Sequence, residues 1–235
     1  MGRIFEKRKH KMFARCGKMA KGFTKMGKEI AIAVKAGGPH PESNPRLRVV
    51  MANAKAINMP KDRIEGAIKR ASEKSSANFE EMVYEGHGPY GVPILVECAT
   101  DNPTRTVANI RMYFSRANGT LGTSGSLSFI FERKCVFRIS AEGRNIEELE
   151  LELIDFGMEE IEQDENEFII YTPFNEFGAM QKALEERNIP VISAEKQRFP
   201  TIYKELNEAQ TEEIMKMVEE MEEDDDVQVV YHNLK

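Results

Sequence analysis

Eleven basic side chains in the first 70 residues offer one repeated chemistry, the neutralisation of phosphate. They are Arg8, Lys9, Lys11, Lys18, Lys21, Lys25, Arg46, Arg48, Lys61, Lys69 and Arg70. Residues 1–75 hold 19 Lys+Arg against 6 Asp+Glu, whereas residues 76–235 hold 14 against 33. The overall charge of −6 is therefore a sum of opposites. A basic third on an acidic body points to a module that meets a polyanion, with nucleic acid the leading candidate. The alternative is a solvated basic bundle balanced by the rest of the chain. Phosphate contacts position a protein without reading bases, so charge alone predicts weakly specific, salt-sensitive binding.

Other chemistries have less support. Cys16, Cys98 and Cys135 are odd in number and far apart, which argues against a disulfide framework and fits a reducing cytoplasm. No CxxC pair occurs, and His10, His40, His87 and His232 are scattered, so a zinc site is not expected. A metal-dependent nuclease needs carboxylates converging near the bound phosphate. The acids here run in segments far along the chain from the basic third, so no catalytic residue, metal or cofactor is expected. The nuclease stays a minor alternative. Gly86, Gly88 and Gly91 suit positive backbone dihedrals in a turn, but no Lys-Ser/Thr pair follows to make a P-loop. The stretch from Gly119 to Gly125 reads either as a flexible connection or as backbone N–H groups near an anion. Asp101 and Arg105, four apart, can cap and brace a helix. Seven of the eight residues from Glu219 to Asp226 are acidic. They read as a solvated helix end that confines nucleic acid to the basic bundle, or else as an attractor of Mg²⁺ or basic protein tails.

The elements that carry these residues follow from periodicity. Residues 4–35 predict a helix with Phe23, Met26, Ile30 and Ala33/Val34 on its apolar face, and Lys25 and Lys28 among its basic faces. Phe5, Met12 and Met19 extend that stripe toward the start. Gly17, Gly22 and Gly27 weaken the helix by about 1 kcal/mol each relative to Ala. A second helix starts at Asn44-Pro45, buried through Leu47, Val50/Met51, Ala54 and Ile57. A third follows Pro60, with Ile64, Ala67/Ile68 and Ala71 inward, and Ser72 to Asn78 form a linker. Strands are expected at Met82–Gly86, Val92–Ala99 and Leu127–Phe131. A helix from Asn102 to about Ala117 presents Val107, Ile110 and Phe114 to the core. Residues 135–198 then run strand-helix-strand-strand-helix-strand, the order of a ferredoxin-like unit. The aromatic pair and basic strand of an RNA-recognition motif are missing from it. A helix over 207–222 and a strand Val227–Tyr231 close the chain. No run of about 18 apolar residues exists, so no membrane span is expected.

Several of these segments resemble the YebC family, which includes the mitochondrial translational activators of cytochrome oxidase. The matching residues are Ala36-Gly37-Gly38, Asn44-Pro45-Arg46-Leu47-Arg48, Asn58-Met59-Pro60-Lys61-Asp62 and Ala67-Ile68-Lys69-Arg70. They continue in Tyr84-Glu85-Gly86-His87-Gly88-Pro89, Val96-Glu97-Cys98-Ala99-Thr100-Asp101-Asn102, Arg105-Thr106-Val107 and Leu121-Gly122-Thr123-Ser124-Gly125-Ser126. The family's Gly-His-Ser-Lys-Trp opening is replaced by Met1-Gly2-Arg3-Ile4-Phe5, and the chain has no Trp. The resemblance implies an α+β fold of three domains. These are a basic helical bundle (1–76), a discontinuous α/β middle domain completed by the C-terminal strand (77–133 plus 206–235) and a ferredoxin-like βαββαβ domain (134–205). It also implies a non-enzymatic, cytoplasmic regulator of gene expression. The lead is a DNA-binding transcriptional regulator on duplex DNA. The alternative is a translation factor that binds ribosomal RNA on the ribosome and relieves stalling. A scaffold whose acidic domains bind basic ribosomal proteins or polymerase is compatible with either.

Overall fold

The computed structural model describes residues 3–73 and 77–235, with side chains from Met19 onward. Three helices come first: α1 (Arg3–Gly37), α2 (Pro45–Ala56) and α3 (Lys61–Ser72). Ile30, Ala33 and Val34 of α1 pack with Leu47, Val50, Ala54, Ile64, Ala67 and Ala71, and Phe23 and Met26 flank them. The expected caps are in place. The buried Asn44 carboxamide accepts the Leu47 N–H at 3.0 Å and donates to the carbonyls of Ala33 and Gly38, both at 2.8 Å. A single side chain thus starts α2 and ties it to the end of α1. A Cβ at Gly37 would lie 2.7 Å from that carboxamide, so glycine is required there.

One face of α2 departs from expectation. Ile57 is largely exposed, and Asn53 is turned inward instead. The Asn53 carboxamide donates to the Ala194 carbonyl and accepts the Ala194 N–H, each at 2.8 Å. It pairs with an edge strand as another strand would, which relieves the exposed backbone of that edge.

The first sheet is antiparallel in the order β3-β1-β2-β8, from β1 (Glu80–His87), β2 (Pro93–Thr100), β3 (Thr120–Leu121) and β8 (Val227–His232). The last strand of the chain therefore completes a sheet begun some 130 residues earlier. Helices α4 (Pro103–Arg116) and α7 (Glu208–Glu222) cover one face through Ile110, Phe114, Ile214, Met217 and Met221. Within α4 it is Thr106, not Val107, that is fully buried. The segment from Leu127 is also not a strand. Residues 124–130 form turns, and only Phe131 enters β4 (Phe131–Ser140). The buried Glu85 carboxylate accepts the N–H groups of Gly125 at 2.9 Å and Leu127 at 2.6 Å. The anion for this glycine-rich loop is thus supplied by the chain itself. Leu127, so held, packs with Leu95 and Phe131 on the sheet's second face. Of the glycines expected at positive φ, only Gly91 (φ 67°) adopts it. Gly86 is needed for space, since a Cβ would sit 2.5 Å from the Thr120 carbonyl oxygen.

The second sheet has the order β5-β6-β4-β7, with β5 (Glu160–Asp164), β6 (Glu167–Pro173) and β7 (Val191–Pro200) all antiparallel to their neighbours. Helices α5 (Ile146–Leu153) and α6 (Phe177–Glu186) pack on Phe137, Ile139, Phe168 and Ile170. This is the ferredoxin-like arrangement.

Glu219, Glu222, Glu223 and Asp225 are exposed, as expected of a solvated run, but its end meets the basic helix directly: Asp226 is buried against the bundle. Lys28 is buried, not on an exposed basic face. Its ammonium donates to Asp226 Oδ1 at 2.8 Å, the Asp225 carbonyl at 2.7 Å and the Ala99 carbonyl at 3.0 Å. The other Asp226 oxygen accepts from Arg105 at 2.7 Å, Thr106 at 2.9 Å and Thr100 at 3.2 Å. Burial alone would push the Asp226 carboxyl up. The hydrogen bonds from Lys28, Arg105 and Thr106 outweigh that and bring it down to about 2.

Two predictions follow from these contacts. The Asp226 contribution is complete above its unfolded value of roughly 3.9 and disappears as pH falls through the folded one, a window worth about 2 kcal/mol. Asp226→Asn leaves a buried ammonium without its counter-charge and should cost about 3 kcal/mol at pH 7. Urea unfolding at pH 7 and pH 3 measures the cost of the variant and about half of that window, and the variant should lose less stability than the parent between them. Separately, Asn53→Ala strands the N–H and carbonyl of Ala194 and should lower the unfolding free energy by about 2 kcal/mol. An unchanged urea midpoint would show that water replaces the carboxamide there.

Candidate nucleic-acid interface

The eleven predicted phosphate ligands fall into three sets. Arg8, Lys9, Lys11 and Lys18 lie on α1, but their side chains are outside the described residues. A second set is engaged inside the molecule. Lys25 donates to the Gln228 carbonyl at 2.9 Å, and burial draws its ammonium below the ordinary lysine value. Lys21 pairs with Glu223 at 3.3 Å. Arg46 pairs with Glu81. Arg48 donates to the carbonyls of Pro41 at 3.0 Å and Glu42 at 3.2 Å, and to Glu185 at 3.3 Å. The third set is on α3 and is open. Lys61 is 85% exposed and makes only a loose 3.5 Å pair with Glu65. Lys69 and Arg70 are exposed, and no ion pair among the described residues engages either.

Charge around the bundle narrows the approach of an anion further. Glu29 of α1 lies where Glu81, Glu97 and Glu195 converge from both sheets. Burial, then the nearby Glu195 and Glu81, push its carboxyl up to about 7. Arg198 answers Glu97 at 2.7 Å. This junction is acidic, as is the helix-free face of the second sheet. That face does carry an aromatic pair, Tyr171 and Phe199, edge to face with centroids 5.8 Å apart. Cross-strand register puts Glu132, Glu160 and Glu195 around the pair, and the two cations of that face, Lys134 and Arg138, are each held by two carboxylates, so the field there repels phosphate. The outer face of α3 brings Lys61, Lys69 and Arg70 together on one helix, while Lys35, Lys55, Arg111 and Lys216 are single exposed cations on other helices.

Beside α3 lies a groove that pattern reading did not find. A groove of about 680 Å³ is lined by both α1 and α3, which pack together beneath it. Gly27 and Ala31 form one wall, Gly66 and Ala67 the other, with Phe23 and Phe79 beside them. Arg63, Arg70, Asp62 and Glu73 also line it. The Arg63 guanidinium lies 5.7 Å from the centre of the Phe23 ring, within cation–π range. Mid-helix glycines were the available signal. Gly27 reads in sequence only as a helix-weakening residue, and its position opposite Gly66 requires the tertiary fold.

Cys98 and Cys135 are free, buried thiols; burial pushes Cys98 up to about 12, which makes it a poor nucleophile. Among the described residues, no group of three or more His, Cys, Asp or Glu has metal-holding geometry, and no helix is long and apolar enough to cross a membrane.

Comparison with known proteins agrees with this architecture. Residues 3–74 match the family described as TACO1/YebC protein N-terminal domain, and residues 79–234 match TACO1/YebC second and third domain. A "Probable transcriptional regulatory protein" of Cytophaga hutchinsonii is 58% identical, covering 100% of this chain and 98% of the relative. One of the same name from Flavobacterium johnsoniae is 55% identical, covering 100% and 99%. The crystal structure of a conserved hypothetical protein from Aquifex aeolicus superposes with a TM-score of 0.76 at 38% identity, covering 92% of this chain and 90% of that one. With both of its parts matched over nearly its whole length, the chain belongs to the TACO1/YebC family.

Proposed function

We propose that this protein is a non-enzymatic regulator of gene expression that binds nucleic acid through phosphate contacts on its helical bundle. One observation carries the reading: Lys61, Lys69 and Arg70 of α3 stay exposed with at most a loose partner, while Lys28 of α1 is paired in the interior and Arg46 and Arg48 of α2 are paired at the surface with acids of the body. The names of the relatives make transcription the first process to test, with duplex DNA as the partner. On α3 the cations alternate with Asp62 and Glu65, and no Asn or Gln stands among them to read adenine edges. Base reading on α3 is then confined to guanine edges, which Arg63 and Arg70 can pair, so the expected binding is of low sequence specificity. The groove beside α3 favours a second reading, folded RNA such as that of the ribosome, because unpaired bases there can leave the stack.

The test is a charge reversal restricted to the open set. Replacing Lys61, Lys69 and Arg70 together by Glu should weaken binding at least tenfold and reduce the salt slope by about two to three for duplex DNA. Arg46 and Arg48 are poor choices, since reversal would set Glu against Glu81 and Glu185 and confuse binding with stability. Anisotropy titrations between 50 and 200 mM salt give the slope. An unaltered slope would remove α3 from the contact surface.

A further inference from the structure

We infer that the groove between α1 and α3 is a binding slot for a single unstacked nucleobase; this rests on the nucleic-acid reading above and specifies what is bound. Glycine in mid-helix is unfavourable, so its presence calls for a reason. The ordinary reasons fail at Gly27 and Gly66. Neither has a positive φ. A Cβ built at either meets nothing within 4 Å, so neither permits close packing of the chain against itself. By contrast, a Cβ at Gly37 or Gly86 would collide with its neighbours. Gly27 and Gly66 stand on opposite helices and line the same cavity of about 680 Å³. What they keep open is space that the fold itself leaves unfilled.

The lining says what suits that space. Walls of glycine and alanine, with no bulky side chain at Gly27, Ala31, Gly66 or Ala67, leave room for a flat group. Phe23 and Phe79 are half-buried beside it, with the Arg63 guanidinium 5.7 Å and the Lys28 ammonium 5.3 Å from their ring centres, and their remaining exposed surface borders the groove as an aromatic contact for a base. The rim carries both signs of charge, Arg63 and Arg70 with Asp62 and Glu73. A nucleotide uses both, since its phosphate takes guanidinium and the amino or imino N–H of its base takes carboxylate. An aliphatic protein side chain would use neither. Bases of a duplex are paired and stacked, so a slot of this kind selects unpaired nucleotides, as in RNA loops.

The test fills the slot without touching charge. In the full chain, Gly66→Leu and, independently, Gly27→Leu place a branched side chain in open space, so neither should lower the thermal midpoint. Two probes are titrated: an RNA hairpin with 2-aminopurine in its unpaired loop, and a fully paired DNA duplex of matching charge. Each variant should bind the hairpin at least tenfold more weakly and abolish the 2-aminopurine change, while duplex affinity shifts less than twofold. Equal hairpin affinity in parent and variants would overturn the slot and leave phosphate binding standing, with the groove open to a protein partner. A parent that binds neither probe would instead remove the nucleic-acid reading itself.

Discussion

A lysine ammonium taken out of water must be matched on every side, and Lys28 is matched by three oxygens from residues 71 to 198 positions away. Asp226, its counter-charge, is held in turn by Arg105, Thr106 and Thr100. This cluster joins the basic helix to the turn between α7 and β8 and to the start of α4. It therefore fixes which side of α1 faces the body. Lys21 and Lys25, about two turns and one turn earlier, are drawn to Glu223 and the Gln228 carbonyl by the same placement. The charge division along the chain is in part an internal match. What remains for a polyanion is the surface the match does not reach, and there α3 groups three exposed cations, Lys61, Lys69 and Arg70, on one helix.

Much of this architecture was legible in the residues. Asn44-Pro45 marked the start of α2, and the heptad-like apolar spacing of α1 marked Ile30 and Val34 as core. The βαββαβ order of the last domain was readable because alternation and helical periodicity switch cleanly there. Local patterns could not show partners brought together by tertiary structure. Asn53 looks like a surface residue until Ala194 needs a hydrogen-bonding partner at a sheet edge. The acidic run looks solvated until Lys28 is placed against it. Leu127–Phe131 has strand composition, yet the Glu85 carboxylate holds its backbone as turns. Each miss is a polar group whose partner lies far away in sequence.

The same contrast applies to the candidate interface. Composition located the phosphate chemistry in the first third of the chain, but it could not divide structural cations from free ones. Lys25 and Lys69 are equivalent in sequence terms; one is turned into a carbonyl and the other into solvent. The groove was less visible still, because its evidence is the absence of side chains at two positions that only the fold makes adjacent. An acidic junction and an acidic sheet face then act as boundaries that keep anions away from the rest of the molecule.

The measurement that tests this account most directly is ultraviolet crosslinking of the tagged full chain in cells, with sequencing of bound RNA and DNA and mass spectrometry of the crosslinked peptides. The account predicts crosslinks within residues 61–73 and at Phe23 or Phe79, on discrete nucleic-acid sites. Ribosomal RNA without DNA would identify a translation factor, and promoter DNA without ribosomal RNA a transcriptional one. Crosslinks confined to the second sheet or to the acidic junction would contradict the account.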